Sequence, residues 1–177
     1  MKQSLLKDLR ERTNLEVKAG FANAREILEL IIDVAKYDHE LRGDDLKEAR
    51  KKLKEMIADS LEQHEKEQAK FPEFTDCDRL DKVFADLEQQ GILTAQNAGY
   101  TQSDAFDDMN EKYDRLSKKE QKAFTGFVFF HGQDLERILE GGPLLFAFGS
   151  GKGDKRLDGK VGKRIQKALE AQDFKVK

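Results

Sequence analysis

The sequence predicts an α+β protein, an N-terminal helical hairpin packed with a roughly four-stranded sheet flanked by helices. Three observations predict it. Residues 1–72 place apolar side chains at three- and four-residue steps among charged ones, the repeat of amphipathic helices. Beyond residue 73, helical stretches alternate with short runs that are apolar throughout, Phe127-Val128-Phe129-Phe130 and Leu144-Leu145-Phe146-Ala147-Phe148. Such runs suit interior strands covered on both faces. Nine of the thirteen glycines fall between Gly126 and Gly162, where the backbone must need turns or close approach. We therefore expect a helical segment over 1–72 and an α/β sheet unit over 73–177, forming one compact domain overall.

Each element follows from local signals. Asn23 with Glu26 has the form of a capping pair, in which a side-chain oxygen accepts an orphan amide and an acid favours the first turn. Ile27, Leu28, Ile31, Ile32, Val34 and Ala35 then form an apolar face. Gly43 and Asp44-Asp45 punctuate, and Leu46, Ala49, Leu53, Ile57 and Leu61 mark a second helix that Pro72 ends. Two helices joined by a short turn make an antiparallel hairpin. Thr75 caps a helix carrying Leu80, Val83, Phe84 and Leu87, with Gly91 as its left-handed terminator. Ile92 to Ala95 is read as a strand, and Ser103 to Lys119 as a helix with Phe106, Met109, Tyr113 and Leu116 on one side. The two apolar runs are strands separated by a short helix, Gln133 to Glu140, which Gly141-Gly142 closes. Asp158 precedes a helix with Val161, Ile165, Ala168 and Leu169, and Phe174-Lys175-Val176 is read as a last strand.

Charge and composition exclude several functions. Lys and Arg number 32 against 35 Asp and Glu, a net charge of −3. The balance is uneven: residues 71–151 hold 8 basic and 15 acidic side chains, and residues 152–177 hold 9 and 4. An acidic middle segment favours a basic protein partner. Lys160, Lys163, Arg164 and Lys167 have the spacing of a solvated helix face, so a nucleic-acid partner is not expected. No apolar run approaches the roughly 18 residues that span a bilayer. The first residues lack the features of a secretory signal, and the expected location is the cytoplasm. Cys77 is the only cysteine, which excludes an intrachain disulfide and a multi-cysteine zinc site.

Candidate chemistry gathers after the first apolar run. His131 and Asp134 stand where many α/β active sites lie, at the carboxyl end of an interior strand, and Asp134 could orient the imidazole or act as a base. The structural alternative is that Asp134 caps the following helix while His131 bonds a loop carbonyl. No Ser or Cys nucleophile has a recognisable setting nearby. Gln133, Gly141 and Gly142 complete a candidate binding face. Ser150 and Lys152, in the loop Gly149-Ser150-Gly151-Lys152-Gly153, could cradle an anion, although neither phosphate-binding fingerprint is present. Asp104, Asp107, Asp108 and Glu111 share helical spacing, but acids early in a helix also complement its dipole. His39, His64 and His131 form no zinc motif, and Cys77 has no resolving cysteine. No metal and no cofactor is expected.

Several segments in order carry a resemblance. They are Leu80 to Glu88 leading into Gly91-Ile92-Leu93-Thr94-Ala95-Gln96-Asn97, then Gly126-Phe127-Val128-Phe129-Phe130-His131-Gly132-Gln133-Asp134, Glu140-Gly141-Gly142 and Leu145-Phe146-Ala147-Phe148-Gly149. Over about residues 75–175 the chain resembles an uncharacterised bacterial family of unknown function, and the N-terminal helices match more loosely. Many relatives resemble one another in a cysteine-bearing segment where this chain reads Ala98 to Asp104, so no thiol role carries over. The resemblance implies an α+β unit and no activity. We expect a non-enzymatic cytoplasmic interaction or regulatory protein acting through the face around His131. The alternative is a small-molecule-binding protein or hydrolase-like enzyme using His131 and Asp134.

Overall fold

The structure is a computed structural model and describes residues 3–177. It is an α+β protein of two compact units, a first reaching to Phe71 and a second from Pro72 to Lys177.

The first unit has three helices, α1 (Gln3–Ala19), α2 (Ala24–Tyr37) and α3 (Gly43–Gln68). The expected hairpin is therefore corrected to a three-helix arrangement. α1 contributes Leu9 and Val17 to the core that α2 builds from Ile27, Leu28, Ile31, Ile32 and Ala35 and α3 from Leu53, Met56 and Ile57. Its apolar stripe is interrupted by Thr13, which is fully buried and donates its hydroxyl to Leu9 O at 2.7 Å. A hydroxyl satisfied by its own helix can occupy a core position. Asn23 caps α2 reciprocally with Glu26: Asn23 Oδ1 accepts from the Glu26 amide at 3.1 Å and Glu26 Oε2 from the Asn23 amide at 2.8 Å.

The second unit runs α4 (Asp76–Gln89), β1 (Ile92–Ala95), α5 (Gln102–Asp114), α6 (Lys118–Ala123), β2 (Gly126–Phe129), α7 (Gly132–Leu139), β3 (Ala147–Gly149) and α8 (Lys155–Glu170). Its sheet has three strands in the order β1-β2-β3, not four. β1 pairs parallel with β2, Ile92 opposite Gly126 and Ala95 opposite Phe129. β2 pairs antiparallel with β3, Phe127 opposite Gly149 and Phe129 opposite Ala147. Only β2 has strand neighbours on both sides, and its run is apolar throughout because successive side chains enter different cores. Val128 joins Ile92, the α4 residues Val83, Phe84 and Leu87, and the α8 residues Val161, Ile165 and Leu169, and Phe130 just beyond the strand joins them too. Phe129 joins Leu93, Ala105 and Met109 on the other face, with Phe127 packed against them.

The other sheet expectations change for physical reasons. The run from Leu144 to Phe148 is regular strand only at its end, and β3 is an edge with Phe148 46% exposed. Phe174 begins no strand. Asp173 turns the chain through φ 62°, the Phe174 amide returns to Leu169 O at 3.1 Å, and the ring packs against the α4/α8 core beneath the Arg79 guanidinium. The helix expected over Ser103–Lys119 divides, because Ser117 and Glu120 form a capping box that starts α6. α8 starts at Lys155 under the cap of Asp154, before Asp158. Gly126 has a steric reason: a Cβ there would lie 2.6 Å from Gly149 O and from Val161 Cγ2.

Candidate functional site

The parallel pairing of β1 and β2 brings their carboxyl ends together, and the chain beyond each strand continues alongside the other. The Phe130 amide donates to Ala95 O at 3.4 Å, and the Ala98 amide returns to Phe130 O at 2.9 Å. Next, the Gly132 amide donates to Gly99 O at 3.0 Å and the Gln133 amide to Tyr100 O at 3.2 Å. These are the first amides of α7, the groups that a helix leaves without intrahelical partners. Carbonyls of the loop after β1 therefore fill the place an anion would take at this helix start. The fit requires glycine at 132, where a Cβ would lie 2.8 Å from the Tyr100 ring.

His131 and Asp134 meet at this turn. Asp134 is 4% exposed. Its Oδ2 accepts from the His131 amide at 3.2 Å, and its Oδ1 accepts from Arg137 Nη1 at 2.6 Å. His131 Nδ1 lies 3.2 Å from Asp134 Oδ2, buried, without an aligned hydrogen bond. Both oxygens of the carboxylate are thus engaged inside the protein, as a buried charge requires. Above them the Tyr100 hydroxyl donates to Glu136 Oε1 at 2.9 Å. The network ties the loop after β1 to α7. Chemically it holds a backbone shape and positions an imidazole beside a carboxylate that is already committed.

Around this turn the surface is apolar. Ile138, Leu139 and Leu145 are 36%, 44% and 49% exposed, within eight residues that also include Gly141, Gly142 and Pro143. Gly141 terminates α7 at φ 86°, and the side chains of Gln133 and Glu140 are exposed beside it. Leu135, Leu144 and Phe146, from the same stretch, pack inward against the α4/α8 core. The segment therefore divides its apolar residues between interior and surface.

Ser150 and Lys152 lie elsewhere, on the loop between β3 and α8. The Ser150 amide and hydroxyl both donate to Asp158 Oδ1 at 2.7 Å, and the Lys152 amide donates to Ser150 Oγ at 3.3 Å. The Ser150 hydroxyl and amide hold the Asp158 carboxyl below the usual carboxylate range. A carboxylate of the protein's own thus sits at the amides that could have met an anion. Lys152 is exposed.

The remaining candidates disperse. Asp104 caps α5 through the Thr101 amide at 2.9 Å, and Glu111 pairs with Arg115. His39 Nε2 lies 2.7 Å from Asp8 Oδ2, and His64 stands on α3. Cys77 is a free, exposed thiol in the first turn of α4. Among the described residues no group of three or more His, Cys, Asp or Glu is placed to hold a metal ion. No helix among them is long and apolar enough to cross a membrane. On α8, Arg164 is less free than its spacing suggests: its guanidinium donates to Gln90 O at 2.6 Å and Thr125 Oγ1 at 2.8 Å. Three residues of the turn escaped sequence reasoning. Arg137 had a signal, an Asp three positions earlier on one helix. Tyr100 and Glu136 had none, because 36 residues separate the partners.

A family model described as a domain of unknown function (DUF6891) matches residues 2–177. The chain belongs to that family. No curated protein and no solved structure matches it. The match covers both units, so the DUF6891 sequence pattern includes the three helices as well as the sheet. In this DUF6891 member the parallel strand ends, the filled helix start and the half-exposed Ile138 to Leu145 stretch form one local assembly.

Proposed function

We propose that this DUF6891 chain is a non-enzymatic interaction or regulatory protein of the bacterial cytoplasm, and that it docks a basic protein partner through the face around α7. One observation carries the reading. Ile138, Leu139 and Leu145 are held exposed beside a turn whose buried carboxylate, Asp134, is satisfied within the chain. A contiguous exposed apolar patch rimmed by polar groups marks a protein–protein or membrane interaction site or a ligand-binding groove. Gln133 and Glu140 supply the polar margin, and the acidic balance of residues 71–151 supports a basic partner. A lone exposed cysteine agrees with a reducing compartment. The catalytic alternative through His131 and Asp134 has less support, since Arg137 and the His131 amide already occupy the carboxylate.

The test is affinity capture from a lysate of the source organism, at low and high salt, with the full chain and with its Leu139→Glu and Leu145→Glu variants. The reading expects one stoichiometric partner that the full chain retains at low salt, that salt weakens and that both variants lose. Recovery of no such partner, or equal recovery by the variants, overturns it.

A further inference from the structure

Several helices answer their cations with acids one turn away. Lys7 pairs with Glu11 on α1, Lys36 with Asp33 on α2, Lys52 with Glu48 on α3 and Arg115 with Glu111 on α5. α8 departs from this habit. Arg156, Lys160, Lys163 and Lys167 follow one another at steps of four, three and four residues, which sets them in one row. The row lies on the side of the helix away from the buried Val161, Ile165 and Leu169, and all four cations are exposed. Among the described residues none of the four is in an ion pair. Glu170, the one acid three or four positions from a member of the row, accepts from Gln166 at 2.8 Å. Like charges at these steps work against their own helix, and acids from elsewhere would relieve them.

α5 carries the opposite sign on the opposite face of the sheet. It packs with Ala105 and Met109 on the core of Leu93 and Phe129, whereas α8 packs on the core of Ile92 and Val128. Asp104, Asp107, Glu111 and Asp114 lie away from Ala105 and Met109 at steps of three, four and three residues, and all four are exposed. Among the described residues neither Asp107 nor Asp114 is in an ion pair. Lys112 leaves this face to the acids, since its ammonium turns to Glu88 Oε1 and Thr94 O. At 1.5 Å per residue the acidic row runs about 15 Å and the basic row about 16 Å. The rows match in length and step and are opposite in sign.

We propose that a second copy of this chain occupies both rows, with α8 of one molecule lying along α5 of the next. A nucleic acid would answer the basic row alone, and α8 has no aromatic side chain on which bases could stack. Because the rows lie on opposite faces of one sheet, a pair of molecules joins one α8 to one α5 and leaves the other two rows free. Association is therefore head-to-tail and continues to further copies unless a ring closes. The contact is between exposed charges, so it is reversible and weakened by salt. It goes beyond the docking face on α7 and shares none of its residues.

The test is sedimentation of the full chain at rising protein concentration, at low salt and in about 1 M salt, where charges are screened over roughly 3 Å. One variant carries Lys160→Glu with Lys163→Glu, and a second carries Asp107→Lys with Asp114→Lys. The wild type should associate at low salt and be monomeric at high salt. Each variant alone should associate about tenfold or more weakly, because like charges then face each other. An equal mixture of the two should recover association, since each supplies the sign that the other has lost. A wild type that stays monomeric at low salt, variants that associate as it does, or a mixture that recovers nothing overturns the proposal. A monomeric wild type that heparin retains would assign the basic row to a polyanion instead. Should a reversal abolish the far-ultraviolet dichroism, Lys160→Gln with Lys163→Gln replaces it, and association undiminished by that variant likewise overturns the pairing.

Discussion

At the scale of single residues, several acids of this chain act as acceptors for backbone amides near helix starts. Asp78, Asp104 and Glu120 each bond the residue that caps their own helix, Thr75, Thr101 and Ser117, and Asp158 bonds Ser150. In all four those hydrogen bonds hold the carboxyl below its ordinary value. Asp158 makes the consequence testable. Its folded-state value lies below the 3.8 it has in an unfolded chain. Its contribution to stability is therefore complete above that unfolded value and is lost as pH falls through the folded one. Urea denaturation of the wild type and of Asp158→Asn between about pH 7 and pH 3 should show a stability gap that is constant at the upper end and narrows below about pH 4. A gap of constant size across the range would contradict the role of the Ser150–Asp158 contact. Asp134 also accepts from a backbone amide, that of the residue before α7, and from a guanidinium within the helix, so its burial is matched by partners.

At the scale of elements, β2 organises the second unit. It has strands on both sides and helices over both faces, and it has no polar side chain to expose. That made it readable from sequence as an uninterrupted apolar run, and the boundaries of β1 were equally readable between Gly91 and the loop after Ala95. Elements whose cause is tertiary were not. β3 looks like a second interior strand because Leu144 and Phe146 are apolar, yet those side chains fill the α4/α8 core from irregular backbone. Phe174 looks like a strand residue and is a core plug. α1 was obscured by Thr13, whose burial depends on a hydrogen bond that composition does not show. Of the candidate site, the proximity of His131 and Asp134 was readable from their spacing, whereas Tyr100 and the loop carbonyls that fill the start of α7 were brought there by the β1–β2 register. Gly126 is the weak point of this arrangement, since a methyl group there has to displace β3 backbone or the Val161 side chain. Gly126→Ala should cost about 1–3 kcal/mol in urea denaturation, the usual range for overpacking a filled core. A loss within error of zero would mean that β3 yields freely and is not fixed by this contact.

At the scale of the whole molecule, the two units have separate cores. All ten buried residues of the first cluster lie between Leu9 and Ile57. The other two clusters draw only on residues from Leu80 to Leu169, with Phe174 packed against one of them. A unit whose apolar side chains are buried by its own elements carries the main requirement for folding alone. The second unit has just over 100 residues, two layers of helices around a sheet, and capped starts at α4, α5, α6 and α8. Residues 72–177 expressed alone should therefore unfold cooperatively in urea, with dichroism and fluorescence transitions coinciding. Because Ile138, Leu139 and Leu145 belong to this unit, the fragment should also retain the partner captured by the full chain. A fragment that is folded but binds nothing would move the docking face to include the first unit. A fragment with broad, non-coincident transitions would show that its two cores need the first seventy residues, and the division into separately folding parts would fail.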